Sequence, residues 1–168
     1  MRLALINACL SSVLLAGIGL SGPAFAASAV MKDAQGNVVG NVALETVPSG
    51  VLVTANFKGF VPGAHAFHVH AVGLCEPPFK SAGGHYNPST SGHGLKDEHM
   101  PHVGDMPNIH VGADGTLTVE ILNTQLALND SLFDADGAAI VVHAGPDDYA
   151  SDPAGAAGGR IACGVIQK

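Results

Sequence analysis

Short runs of apolar and β-branched residues, separated by turns that contain glycine or proline, recur along most of the chain. The first two runs, 38–47 and 51–57, flank Pro48-Ser49-Gly50 and predict a β-hairpin. Further strands are predicted at 66–70, 116–122, 138–143 and 161–166. There is no convincing helical period among these runs. Many short strands joined by glycine turns indicate an all-β fold, either an antiparallel sandwich or a barrel.

Two long stretches interrupt this pattern. Residues 71–108 carry no strand signal but contain six Gly, five Pro and four His, and residues 144–160 are rich in Gly, Ala and Asp. Loops longer than about 15 residues are uncommon in compact domains unless they serve a function. We therefore expect two functional loops, which need groups other than an apolar core to order them.

The N-terminus has the pattern of a secretory signal peptide. Arg2 supplies a positive charge, a long apolar run follows, and an A-x-A cleavage motif stands at 24–26. A membrane anchor that stays attached is the alternative, but the Gly-Pro pair just before the motif favours cleavage after Ala26. We therefore predict a signal peptide over 1–26, a single domain over 27–168, and a periplasmic or secreted location.

Cleavage changes the meaning of the charge and of the cysteine count. Loss of Arg2 makes the net charge of −7 more negative still, so the domain should bind neither nucleic acid nor anionic membranes. Loss of Cys9 leaves Cys75 and Cys163, an even pair in an oxidising compartment. This pair predicts one long-range disulfide, with two buried free thiols as the alternative.

Two histidines lie on one predicted strand. His68 and His70 are separated by one residue, so their imidazoles point to the same face while Val69 points to the other. Two imidazoles on one face can converge on a metal ion. The alternative is a pair of polar residues on an exposed strand face.

The first long loop adds further potential ligands. His85, His93, His102 and Asp105 form a closed set of three imidazoles and a carboxylate, which suits zinc. A solvated, histidine-rich loop is the alternative. His143 ends the strand predicted at 138–143, and together with the two strand histidines and His85 it completes a four-nitrogen set that suits Cu(II). One histidine would then serve both metals.

Five motifs now stand in a defined order along the chain. They are Phe67-His68-Val69-His70, Gly84-His85-Tyr86-Asn87-Pro88, His102-Val103-Gly104-Asp105, Val141-Val142-His143 and Gly159-Arg160-Ile161-Ala162-Cys163-Gly164-Val165-Ile166. In these motifs, from about residue 38 to the C-terminus, the chain resembles the copper/zinc superoxide dismutase family, in its exported bacterial (periplasmic) type.

The resemblance implies a fold, a reaction and two cofactors. The fold would be an eight-stranded antiparallel Greek-key barrel or sandwich with two long functional loops. The reaction would be dismutation of superoxide to dioxygen and hydrogen peroxide. The cofactors would be one copper and one zinc per chain, with the copper redox-cycling and the zinc structural. Superoxide is the expected small-molecule partner, and assembly into a homodimer is possible.

The resemblance also implies the ligand sets. Copper would be bound by His68, His70, His85 and His143. Zinc would be bound by His85, His93, His102 and Asp105. His85 would bridge the two metals as an imidazolate and take part in catalysis.

Two further residues match the family's site. Asp147 resembles the carboxylate that links a copper histidine, His68, to a zinc histidine, His93, and thereby orients both rings. Its alternative is one more loop acid. Arg160 resembles the active-site arginine that attracts and orients the superoxide anion, with a surface salt bridge as the alternative.

The charge around the site poses a separate question. The acidic domain repels an anion at long range, and residues 144–159 contain no lysine. Lys80 and Lys96, both on the first long loop, are therefore candidates for steering the substrate, although each is equally well explained as an ordinary surface lysine. His65, His99 and His110 match no part of the family's pattern and are expected to be exposed.

Two other functions compete with catalysis. A copper and zinc buffer without turnover would need the same ligands, and a structural or chaperone domain could keep the fold after losing its copper site. The complete copper set disfavours the second. Storage needs neither Arg160 nor a bridging histidine, so the presence of both favours an enzyme.

Overall fold

The computed structural model describes residues 26–96, 98 and 100–168. The predicted signal peptide, apart from Ala26, lies outside these residues, as does His99. No helix within the described part has the length and apolar character needed to cross a membrane. This part contains nine β-strands and one turn of 3-10 helix, Lys80–Ala82. The strands are β1 (Ala26–Asp33), β2 (Val38–Val47), β3 (Gly50–Lys58), β4 (Gly63–His65), β5 (Phe67–His70), β6 (Ile109–Val111), β7 (Thr116–Asn123), β8 (Ala139–His143) and β9 (Arg160–Val165).

Seven of these strands form one antiparallel sheet in the order β5-β8-β9-β1-β2-β3-β7, and β4 pairs with β6 in a second, small sheet. Every strand except β4 contributes side chains to one apolar core, so the large sheet curls around that core. The predicted all-β, antiparallel fold is confirmed. All six strands predicted from apolar runs are present.

The β2–β3 hairpin shows how the pattern produces the fold. Along β3, Val51, Val53, Ala55 and Phe57 are buried in the core, while the residues that alternate with them are more exposed. Branched and aromatic side chains of this kind pack well on a pleated, half-buried surface. Gly50 begins β3 with a φ of 136°, and a side chain there would collide with the Asn123 carbonyl of β7, so only glycine fits.

Three strands, β1, β4 and β6, are not predicted by the pattern of apolar residues. In β1 the inward positions are Ala27, Ala29 and Met31, whereas the outward Val30 is 56% exposed. Small residues inside and a valine outside give almost no alternating signal. β4 and β6 have three residues each, too few to show a period.

β5 and β8 are buried on both faces. Their histidines are therefore buried as well, on the outer face of the sheet. Phe67 and Val69 of β5 face the main core, so the two histidines of this strand face outward. The outward residues of β8, Ala139 and Val141, belong to a second, small apolar cluster with Phe79 of the long loop. The loop therefore acts as a cover over the outer face of the barrel.

Covalent and main-chain bonds attach this cover to the sheet. Cys75 on the loop forms a disulfide with Cys163 on β9, with a Cα–Cα distance of 5.6 Å, which confirms the predicted bond. The Val69 amide donates to the Gly104 carbonyl at 2.9 Å, and its carbonyl accepts from the Tyr86 amide at 2.8 Å. A side chain at Gly104 would collide with the Val69 carbonyl, so this close approach requires glycine.

The disulfide should be a major source of stability. Replacing both cysteines, Cys75→Ser with Cys163→Ser, should lower the free energy of unfolding by about 4 kcal/mol, because the bond joins residues far apart in sequence. Urea unfolding of the chain without residues 1–26, in the absence of reductant, measures the change. Reduced wild-type protein is the control and should unfold like the double variant. Two free thiols in a peptide map of the non-reduced protein would contradict the bond.

Candidate metal centre

Eight buried ionisable side chains crowd beneath the two long loops. Their exposed fractions range from 0% for His68, His70 and His93 to 8% for His102. Burying so many polar groups is unfavourable unless their nitrogen and oxygen atoms find partners. The eight residues are His68, His70, His85, His93, His102, Asp105, His143 and Asp147.

Four of the imidazoles form a first cluster. His68 and His70 extend from the outer face of β5, His143 ends the neighbouring strand β8, and His85 comes from the loop, where it forms a β-bridge with His70. One ring nitrogen from each histidine lies within 4.8 Å of the others. The pairing of β8 with β9 shifts register between Val142 and His143, at the point where β8 meets the cluster.

A second cluster consists of His85, His93, His102 and Asp105, whose candidate ligand atoms also lie within 4.8 Å of one another. The Asp105 carboxylate occupies its centre. One oxygen is 2.7 Å from His85 Nδ1 and 3.4 Å from His102 Nδ1, and the other is 3.0 Å from His93 Nδ1. The amide of Gly94 donates to the carboxylate at 2.9 Å and fixes its orientation.

His85 belongs to both clusters. Its ring centroid lies 4.1 Å from that of His68 and 4.9 Å from that of His70 in the first cluster. It lies 5.1 Å from that of His93 and 5.3 Å from that of His102 in the second. Its Nδ1 faces Asp105, whereas its Nε2 is the atom left for the first cluster. The ring therefore stands between two four-ligand sets.

Five buried ring nitrogens make no hydrogen bond of acceptable geometry with the residues that the structure describes, although one of them, His93 Nδ1, lies 3.0 Å from the Asp105 carboxylate. A buried nitrogen without a partner is costly, and a metal ion supplies the missing interaction. Four imidazole nitrogens suit Cu(II), and three imidazoles with one carboxylate suit zinc. The donor sets therefore fit copper and zinc. The five atoms are His68 Nδ1, His70 Nε2, His85 Nε2, His93 Nδ1 and His143 Nε2.

Burial also sets the protonation state of these groups. It lowers the pKa of His70 to about 2 and that of His143 to about 3, and neighbouring imidazoles add to the effect. Burial lowers the pKa of His85 to about 4, although the hydrogen bond with Asp105 opposes it. Burial alone would raise the pKa of Asp105, but hydrogen bonds with His85 and the Gly94 amide lower it to about 2. At neutral pH these imidazoles are neutral and the carboxyl group is ionised, as metal binding requires.

Asp147 connects the two clusters by a second route. One carboxylate oxygen is 2.8 Å from His68 Nε2 and the other is 3.0 Å from His93 Nε2. Burial would raise the pKa of Asp147, but the hydrogen bonds with both histidines hold it well below its usual range. Each of these rings thus uses one nitrogen on the carboxylate and turns the other toward its cluster.

Arg160 lies beside the first cluster, half-buried at the start of β9. Its guanidinium donates to the carbonyls of Phe79 and Gly83, both at 2.6 Å. The Gly83 carbonyl is also 3.0 Å from His70 Nδ1, so one peptide group orients both side chains. A cavity of about 420 Å³ is lined by Arg160 and Lys80, together with Pro78, Gly158 and Gly159.

The second candidate lysine has different surroundings. The Lys96 ammonium lies 3.4 Å from the Asp148 carbonyl and 5.2 Å from the centre of the Tyr149 ring. Its amide donates to the Tyr149 carbonyl at 3.1 Å. Lys96 therefore joins the two long loops to each other, and it is absent from the lining of the cavity beside Arg160.

The expectation that His65 is exposed is wrong. Its side chain is 4% exposed, with Nδ1 2.8 Å from the His143 carbonyl and Nε2 2.8 Å from the Val61 carbonyl. It therefore supports the end of β8 from below, and no spacing in the sequence distinguishes it from a surface histidine. His110 is exposed, as expected.

Comparison with known proteins gives matches over the same part of the chain. The model of the family described as copper/zinc superoxide dismutase matches residues 38–166. Superoxide dismutase (Cu-Zn) 2 of Aquifex aeolicus is 50% identical over 147 residues, covering 84% of this chain and 86% of that protein. Superoxide dismutase (Cu-Zn) of Caulobacter vibrioides is 45% identical over 148 residues, covering 84% and 85%.

Solved structures agree with this result. The Cu/Zn superoxide dismutase from Brucella abortus matches with a TM-score of 0.74 and 31% identity, over 85% of this chain and all 100% of that one. A double mutant of a superoxide dismutase-like protein from Bacillus subtilis matches with a TM-score of 0.80 and 33% identity, over 84% and 97% of the two chains. The sequence and fold matches, together with the paired histidine clusters, show that the chain belongs to the copper/zinc superoxide dismutase family.

Proposed function

We propose that this protein dismutates superoxide to dioxygen and hydrogen peroxide outside the cytoplasm. Copper is bound by His68, His70, His85 and His143, and zinc by His85, His93, His102 and Asp105. The observation that carries the proposal is the pair of buried four-ligand sets that share one imidazole. The Aquifex and Caulobacter relatives, which are named superoxide dismutases, support the same reaction.

The overall reaction converts two superoxide anions and two protons into dioxygen and hydrogen peroxide. When bound, copper supplies alternating one-electron oxidation and reduction, and zinc, which has no redox chemistry, orders the loop and the bridging ring. His85 Nε2 lies among the other three imidazoles of its cluster without a protein partner among the described residues. It is therefore placed to take up a proton and donate it to the reduced product.

Arg160 attracts and orients the anion. Its two carbonyl contacts hold the guanidinium plane at the edge of the cavity, and a fixed cation there favours a small anion. Lys80 lines the same cavity and adds a second positive charge. Local positive charge in a cleft attracts an anion even when the whole protein is acidic, a recognised property of this enzyme family. Lys80, and not Lys96, is therefore the steering lysine.

The location is part of the proposal. A disulfide is typical of proteins in an oxidising compartment, and this chain has one between Cys75 and Cys163. The signal peptide pattern over 1–26 would direct export, and cleavage after Ala26 would leave the domain 27–168. The enzyme would then act on superoxide in the periplasm or outside the cell.

Replacing Asp105 tests the zinc site. Asp105→Ala should weaken zinc binding by more than about 100-fold and leave copper in place, because zinc loses its only carboxylate while all four copper imidazoles remain. Metal analysis after dialysis against a zinc chelator measures both metals. Asp130→Ala, which removes an exposed carboxylate, is the matched control and should retain both. Normal zinc content in Asp105→Ala would show that the ligand set is wrong.

Replacing Arg160 separates catalysis from metal storage. Arg160→Ala should bind both metals normally but dismutate superoxide about ten-fold more slowly, with a weaker dependence on ionic strength, since salt screens the attraction that the arginine provides. Arg160→Lys should keep part of the salt dependence but orient the anion less well. Rates are measured on metal-loaded protein across a salt series. An unchanged rate and salt dependence in Arg160→Ala would instead support a storage protein.

The two loop lysines offer a matched pair for the steering hypothesis. Lys80→Ala should lower the rate about two- to five-fold at low ionic strength, because a positive charge leaves the cavity. Lys96→Ala changes the net charge equally but should leave the rate nearly unchanged. The comparison is made in low-salt and high-salt buffer with metal content verified. A larger loss in Lys96→Ala would assign the steering role to that lysine.

A further inference from the structure

Asn108 holds the main chain of Asp147 with both ends of its amide group. Its Oδ1 accepts from the Asp147 amide at 2.8 Å, and its Nδ2 donates to the Asp147 carbonyl at 2.9 Å. The two residues are 39 positions apart, so this pair of bonds joins one long loop to the other. Asn108 stands directly before β6, which fixes it to the small sheet. The Asn108 side chain therefore fixes the main chain of Asp147 relative to strand β6.

Tyr149 completes this arrangement. Its hydroxyl accepts from the main-chain amide of Asn108 at 2.7 Å, and its own amide donates to the Asp147 carboxylate at 2.6 Å. Its φ of 66° lies in the left-handed region, which a bulky side chain adopts only where surrounding contacts hold it. Asp147 is thus held at its amide and carbonyl by Asn108, and at its carboxylate by Tyr149.

The position of Asp147 matters because its two oxygens face rings from different clusters. The distances to His68 and His93 are 2.8 and 3.0 Å, so a small displacement of the loop backbone would lengthen one or both hydrogen bonds. The distance between the rings is fixed by β5 on one side and by the first long loop on the other. The Asp147 carboxylate can accept hydrogen bonds from both rings only if its main chain keeps a fixed position relative to them.

We propose that Asn108 is a positioning residue for both metals. By fixing the Asp147 backbone, it orients His93 for zinc and His68 for copper at the same time. Loss of the amide group should therefore weaken zinc binding and change the copper environment together, through Asp147. This inference rests on the metal assignments of the proposed function.

The central experiment is a double-mutant cycle on zinc affinity, measured by competition with a chelator. Asn108→Ala should weaken zinc binding about ten-fold, and Asp147→Ala by about ten- to 100-fold, because both lose orientation of a ligand rather than the ligand itself. The double variant should bind zinc no more weakly than Asp147→Ala, since Asn108 acts only through that residue. Asn129→Ala is the control. The Asn129 side chain accepts hydrogen bonds from the main-chain amides of Ser131 and Leu132, at a turn that contains none of the proposed ligands.

A second readout follows copper rather than zinc. The electron paramagnetic resonance spectrum of Cu(II) in Asn108→Ala should shift in the same direction as that of Asp147→Ala, because His68 loses its fixed orientation in both. Asn129→Ala should keep the wild-type spectrum. Asn108→Asp provides an isosteric variant if the alanine variant does not fold. It keeps one acceptor for the Asp147 amide but places an oxygen against the Asp147 carbonyl, so it should shift both readouts in the same direction as Asn108→Ala.

The outcomes separate this inference from the proposed function. Wild-type zinc affinity in Asn108→Ala and Asn108→Asp, or additive losses in the double variant, would overturn the role of Asn108. An unchanged zinc affinity and an unchanged Cu(II) spectrum in Asp147→Ala would overturn both this inference and the role of Asp147 in the proposed metal centre. Loss in Asp147→Ala without loss in either Asn108 variant would leave the metal centre intact and remove only Asn108.

Discussion

The structure depends on how the buried imidazoles satisfy both of their ring nitrogens. In the first cluster, each of the three strand histidines has one nitrogen near a protein acceptor. The acceptors are the Asp147 carboxylate for His68, the Gly83 carbonyl for His70 at 3.0 Å, and the Gly158 carbonyl for His143 at 3.4 Å. The second nitrogens then converge without a protein partner among the described residues. A metal ion is the natural partner for such a group, since a neutral imidazole is already a ligand.

Two kinds of interaction mainly order the two long loops. One is the set of contacts that the buried imidazole nitrogens require, and the other is the covalent and main-chain bonds to the sheet. The apolar cluster outside the barrel is small, with Phe79 and Ala82 the buried loop residues that contact β8 and β9. The remaining attachments are the disulfide to Cys163, the main-chain hydrogen bonds of Val69, and the hydrogen bonds between the Asn108 side chain and the Asp147 main chain. Rigid strands carry three of the imidazoles, so the loops need to position only the rest.

Charge is distributed unevenly between the protein as a whole and its cavity. The chain has 14 acidic and 7 basic residues, yet Arg160 and Lys80 lie together at the cavity beside the first cluster. The carboxylates of the nearby Asp105 and Asp147 both contact histidine ring nitrogens. Their negative charge is therefore directed inward, toward the metal clusters, and not toward an approaching anion. The arrangement reconciles an acidic domain with an anionic substrate.

The sequence alone determined much of this protein, because its signals are local or ordered along the chain. Apolar runs bounded by turns predicted six strands, spacing placed His68 and His70 on one face, and the count of cysteines predicted the Cys75–Cys163 bond that the structure contains. β1 was missed because small residues give it little alternation, and β4 and β6 because three residues show no period. Lys80 and Lys96 are equivalent in the sequence, since both are lysines on the same loop.

Only the tertiary structure decided which side chains meet across the fold. It brought Lys80 to the cavity with Arg160 and turned Lys96 to the other loop. It buried His65 beneath the end of β8, and it joined Asn108 to Asp147. The Asn108–Asp147 and His65–His143 contacts connect residues far apart along the chain and use main-chain atoms as partners. A main-chain carbonyl or amide is the same in every residue, so no pattern of side chains records where it will be needed.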